Sequence, residues 1–77
     1  DPDNVNTWDQ LAIAYSRLGD TAMLAYASAE RYLLEGNAAK AIFHAERAQD
    51  LFKVGSPLYL RAQDIITIAK QQQTARN

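Results

Sequence analysis

His44 is the only histidine in 77 residues, and the chain has no cysteine. A protein zinc site takes three or four side-chain ligands, so these residues leave no zinc set, and the His-Glu-x-x-His spacing of a zinc hydrolase does not occur. In FHAER the histidine stands two residues before Glu46, on a different side of one helix. His44 is therefore expected to be a partly exposed helix residue. Glu46 and Asp50 are like charges four residues apart on a solvated helix surface, with no pocket to raise either carboxyl for acid or base work. No glycine-rich phosphate loop follows a strand, because no strand pattern is present. The residues supply no catalytic, cofactor or metal set, and the chain itself is expected to be no enzyme.

The pattern that remains is helical. Val5, Trp8, Leu11, Ala12, Tyr15 and Leu18 recur at the three-and-four spacing of one helical face. Gly19 then offers the left-handed residue that stops a helix, and Asp20 or Thr21 can cap the next. A second helix places Ala22, Ala25, Ala29 and Tyr32 on one stripe and Met23, Tyr26 and Leu33 on the adjacent one, so much of its circumference is apolar. Gly36 ends it, and Asn37 caps a third helix carrying Ala38, Ala41, Ile42, Ala45, Ala48 and Phe52. Gly55, Ser56 and Pro57 read as stop, cap and first residue of a fourth, with Leu58, Ala62, Ile65 and Ala69 on one face and Tyr59 and Ile66 beside it. QQQTARN has no apolar anchor and is expected to fray.

The sequence thus predicts an all-α fold of four antiparallel helices at about 5–18, 22–35, 38–53 and 57–72, because loops of two to four residues make consecutive helices antiparallel neighbours. Residues 1–4 are expected to end an upstream linker or repeat, 5–73 to form the helical domain and 74–77 to fray. The alanine stripes let helix axes come close. Bulk is expected mainly from Trp8, Tyr15, Tyr32, Ile42, Phe52 and Ile65.

Seventy-seven residues make one domain near the lower size limit for a core without disulfide or metal staples. Eight lysines and arginines against nine aspartates and glutamates give a net charge of -1, with both signs scattered along the chain. That is unlike the basic stripe of a nucleic-acid binder. The longest apolar run falls far short of the roughly 20 residues of a membrane-spanning helix, so neither nucleic acid nor membrane insertion is expected. The opening DPDN lacks a methionine and reads as the cut end of a longer chain, and the missing targeting segment leaves its compartment open.

YSRLGD at 15–20 returns as YLLEGN at 32–37, an offset of 17 residues. Tetratricopeptide repeats have a period of about 34 residues, with a Trp-x2-Leu-Gly-x2-Tyr first helix and an alanine-bearing second helix. Trp8, Leu11, Ala12 and Tyr15, followed by Gly19, resemble that first helix, with alanine in place of glycine. Laid down 17 residues later, the same frame takes Ala25, Ser28, Ala29, Tyr32 and Gly36, and then Ala41, Ala45 and Ala48 of helix three. The better repeat is 22–55, with helix one as an extra first-type helix before it and helix four as a cap behind it. Pro2 stands where a preceding repeat would close.

A narrower resemblance runs through AYASAERYLLEGN, AAKAIFHAERAQDLFK and GSPLYLRAQDIITIAK. This order is similar to the C-terminal repeat segment of bacterial periplasmic zinc metalloproteases. The resemblance implies a preceding His-Glu-x-x-His domain that holds the zinc, on which the repeats pack, and outer-membrane assembly partners that the repeats help engage. It also implies a periplasmic location, with the cytoplasm as the alternative. The alternative function is a structural capping pair in an unrelated repeat scaffold, with no partner groove of its own.

Repeat stacks bind through the groove lined by first-type helices. In this frame the groove takes Asn6, Asp9, Ile13 and Ser16 from helix one and Met23, Tyr26, Glu30 and Leu33 from helix two. Apolar residues off the core stripe point to an apolar or amphipathic protein segment. Met23 and Leu33 serve that groove or a contact with helix four equally well, and Tyr26 favours the groove. The lysine, asparagine and arginine that hold a chaperone tail in the related variant are replaced by Asp9, Ile13, Tyr26, Ala27 and Glu30, which argues against that function. Arg61 is expected to be solvated. A monomer is expected, or weak self-association if Ile13, Tyr26 and Leu33 are exposed.

Overall fold

The computed structural model describes residues 4–76, with the side chain of residue 76 left aside. The expectation at Pro2 and residues 1–3 lies outside the described residues. The fold is all-α, four helices in the order α1 (Val5–Leu18), α2 (Thr21–Leu34), α3 (Ala38–Leu51) and α4 (Pro57–Arg76).

The recurring Tyr-x3-Gly-Asp/Asn motif is a turn that closes one helix and opens the next. Gly19 sits at φ 71°, and the Asp20 N–H reaches back to the Tyr15 carbonyl at 2.9 Å. Gly36 at φ 76° does the same, with the Asn37 N–H on the Tyr32 carbonyl at 2.9 Å. The left-handed backbone favours glycine because a Cβ there would crowd the following carbonyl. The polar residue then turns to the next helix: Asp20 Oδ1 accepts from the Met23 N–H at 3.1 Å, and Asn37 Oδ1 from the Lys40 N–H at 3.2 Å. Each satisfies a donor that the helix start would otherwise leave open.

Two boundaries differ from the sequence expectation. Helix α3 stops at Leu51, because Phe52 turns to an extended backbone (φ −89°, ψ 154°). Its ring meets Tyr26 edge-on at 6.5 Å, a tertiary contact that helical continuation would redirect. Gly55, at φ 81°, belongs to the turn that follows rather than to the helix end, with the Ser56 N–H on the Lys53 carbonyl at 3.0 Å. At the other boundary α4 continues to Arg76, through the glutamines expected to fray. Glutamine is a good helix former, and Gln72 is half-buried.

Alanine forms most of the core. Ala25 and Ala29 of α2, Ala38, Ala41, Ala45 and Ala48 of α3, and Ala62 and Ala69 of α4 are buried, together with Ile65 and Ile66. Ile65 is the one large side chain among the described residues that is fully enclosed. The other expected anchors Trp8, Tyr15, Tyr32, Ile42 and Phe52 are only half-buried. Alanine loses no rotamer freedom on burial, and small side chains let helix axes approach closely. The bulkier rings therefore flank the helix seams instead of filling the centre.

Helix α2 is the hub. It packs on α1, α3 and α4, and α3 packs on α4, whereas α1 makes no close backbone approach to α3 or α4. Ala27 is fully buried on the side of α2 opposite Ala25 and Ala29. With α3 and α4 occupying the Ala25 side, α1 is what covers it.

Candidate docking groove

The two flanks of α2 carry different chemistry. Toward α4, the Arg61 guanidinium grips the Glu30 carboxylate with two donors, Nε to Oε2 at 2.9 Å and Nη2 to Oε1 at 2.8 Å. The Tyr26 hydroxyl donates to Glu30 Oε2 at 2.7 Å. Only 6% of Glu30 is exposed, so this fork-to-fork pair and the phenol supply its polar partners where water is largely excluded. The Tyr26 ring packs edge-on against Trp8 at 5.7 Å. Burial first, and then the bond to Glu30, push the Tyr26 phenol well above its ordinary range. Arg61, expected to be solvated, has its partner within the chain.

Across the other flank, no helix fills the space between α1 and α3. A depression of about 370 Å³ lies between Asp9, Ile13, Ser16 and Arg17 of α1 and Leu24, Ser28 and Arg31 of α2. A second, of about 180 Å³, runs on from the shared Leu24 and Ser28 to His44 and Arg47 of α3. Together they form a trough across α2, with Leu24 and Ser28 as its floor. Ile13 is 46% exposed on its wall.

The α3 end of the trough is aromatic and cationic. The Tyr32 ring stacks on His44 at 5.3 Å and 9°. The Arg31 guanidinium lies 4.9 Å and the Lys40 ammonium 5.4 Å from the centre of the same Tyr32 ring, within reach of its negative face. Burial first, then Arg47, Lys40 and Arg31, holds the His44 imidazole below its ordinary range, which keeps it neutral near pH 7. Arg31 also meets Asp9 at 3.4 Å and Glu35 at 3.0 Å. Arg17 and Arg47 have no ion-pair partner among the described residues.

The eight residues expected to share one groove are divided between these places. Asp9, Ile13 and Ser16 line the trough. Met23, Tyr26, Glu30 and Leu33 lie on the opposite side of α2 from Leu24, Ser28 and Arg31, as the 100° step of the helix requires. Tyr26 and Leu33 pack against the core, Glu30 is engaged by Arg61, and Met23 is half-buried. Asn6 is exposed near the start of α1, where its backbone N–H donates to the capping Asn4 Oδ1 at 2.8 Å. The residues that complete the trough, Arg17, Leu24, Ser28, Arg31, His44 and Arg47, lie outside the eight that the repeat frame selects. The signal available for them was the 24, 28, 31 spacing on α2 and the matching 40, 44, 47 spacing on α3.

Among the described residues no three of histidine, cysteine, aspartate and glutamate converge as a metal group. No helix among them is long and apolar enough to cross a membrane. No protein-family model, curated protein or solved structure matches the chain.

Proposed function

We propose that the chain is a non-catalytic docking module that binds protein through the trough across α2. The observation that carries this reading is the open gap between α1 and α3, where an exposed Ile13 and two arginines with no ion-pair partner among the described residues stand over a floor of leucine and serine. Apolar surface next to unpaired charge is what a binding surface needs: area to bury and groups to orient the partner. The resemblance to the repeat tail of periplasmic zinc metalloproteases supports a specific context. In that context the module packs on a zinc-bearing protease domain, engages assembly partners or substrates, and resides in the periplasm.

Photo-crosslinking from positions 13 and 28 in the intact parent protein tests the docking role. Crosslinks to a second protein or to a preceding protease domain are expected, and crosslinks confined to α1, α2 and α3 would overturn it. A His-Glu-x-x-His helix upstream in the parent supports the protease context, and its absence sinks that context while leaving the module intact. A purely structural capping role has its own support in the seam toward α4, where Tyr26 and Glu30 are used up internally. It predicts no crosslink from either position.

A further inference from the structure

We infer that the trough across α2 selects an acidic segment of a partner protein, one that places carboxylates against Arg17 and Arg47 and an apolar side chain between them on Leu24. This inference rests on the docking role and adds the chemistry of the partner.

Charge complementarity carries it. The chain has a net charge of -1, yet four of its eight basic residues, Arg17, Arg31, Lys40 and Arg47, gather around this one depression and its α3 end. The carboxylates of Asp9 and Glu35 are both drawn to Arg31. That leaves Arg17 and Arg47, at opposite ends of the trough, without an ion-pair partner among the described residues. A planar guanidinium matches a carboxylate with two parallel donors. His44, held neutral, contributes a polar imidazole without a further positive charge.

The apolar part of the lining, Leu24, Ala25 and Ala12, distinguishes a peptide from a phosphate backbone, which has nothing to bury there. An acidic peptide of alternating glutamate and leucine suits this lining, because its carboxylates reach the rim while its leucines meet the apolar residues.

The test measures binding of a fluorescent peptide of alternating glutamate and leucine to the full chain by anisotropy, beside a peptide with every glutamate replaced by glutamine. The glutamate peptide is expected to bind at least about tenfold more tightly, a difference of about 1.4 kcal/mol, and to weaken as ionic strength rises from about 0.02 to about 0.2 M. The double variant Arg17→Glu/Arg47→Glu is expected to remove the preference. Lys53→Glu/Lys70→Glu, outside the trough, is expected to leave it. Circular dichroism should show all variants folded, since these side chains are exposed.

Equal binding of the two peptides, no binding of the glutamate peptide, or equal loss in both double variants would each overturn the inference. So would competition by single-stranded DNA as strong as by unlabelled peptide. Crosslinks to a partner from positions 13 and 28 despite any of those results would mean that docking stands and its acidic selectivity fails. Absence of both would sink the two together.

Discussion

On its α4 side, helix α2 faces an arginine locked onto its own buried carboxylate, and on its α1–α3 side it faces two arginines, Arg17 and Arg47, with no ion-pair partner among the described residues. The difference does not come from residue type. Arg61 and Arg47 are both helix-borne arginines with an aliphatic stem and a planar head, yet one is locked to a buried carboxylate and the other has no ion-pair partner among the described residues. What separates them is the next-but-one helix. Helix α4 reaches back to α2 and brings Arg61 onto Glu30, whereas α1 never reaches α3. Availability of a charged side chain to a partner is thus decided by topology, two elements away in sequence.

The contrast can be broken most severely from the closed side. Arg61→Ala should leave the Glu30 carboxylate buried without its cation. A fully enclosed pair loses ~3–5 kcal/mol in this way. Because Arg61 is 39% exposed on its side chain and water can enter the vacated space, a loss of about 2 kcal/mol is expected in urea denaturation. Adding Glu30→Leu to the same chain should restore much of it, which a double-mutant cycle would read as coupling. A loss no larger than that of an ordinary surface substitution would mean that the two flanks of α2 do not differ energetically.

A milder change sharpens the same comparison. Tyr26→Phe keeps the ring against Trp8 and Phe52 and removes only the donor to Glu30, so about 1 kcal/mol is expected. The pH dependence carries a further signature. The folded phenol titrates above the ordinary tyrosine value of 10.0, so above that pH the unfolded chain binds fewer protons than the folded one, and stability falls as pH rises. The native chain should therefore lose stability faster than Tyr26→Phe above that pH, and parallel curves would contradict the buried hydroxyl.

The smallest effects belong to the open side. Arg17→Ala and Arg47→Ala should each shift stability by no more than about 0.5 kcal/mol, as for surface residues without special contacts. A loss comparable to that of Arg61→Ala would show that the trough arginines are structural after all.

Much of the architecture is legible in the sequence because it is set locally. Gly19, Asp20, Gly36 and Asn37 fix their turns through bonds that span only a few residues, and the apolar spacing marks each helix. The recurrence of YSRLGD as YLLEGN finds its physical reason in that same turn chemistry. Phe52 marks where local reading stops, since nothing nearby in sequence says that its ring is wanted beside Tyr26. The expected groove residues separate for a related reason. Helix α2 is apolar or small around most of its surface, so spacing alone does not say that 23, 26, 30 and 33 face the seam while 24, 28 and 31 face the gap. Likewise Arg17, Arg31, Lys40 and Arg47 are scattered in sequence and adjacent only after three helices have packed.

That α1 makes its close backbone approach to α2 and to neither α3 nor α4 has a kinetic meaning. In a stack where each layer touches only its neighbours, an end layer can detach without dismantling the rest. Amide protons of α1 should then exchange through an opening that leaves α2, α3 and α4 paired, and the wall of the trough departs with it. A guest held between Arg17 and Arg47 would span that opening and close it, so occupancy would be recorded as slower exchange along a helix that makes only part of the contact.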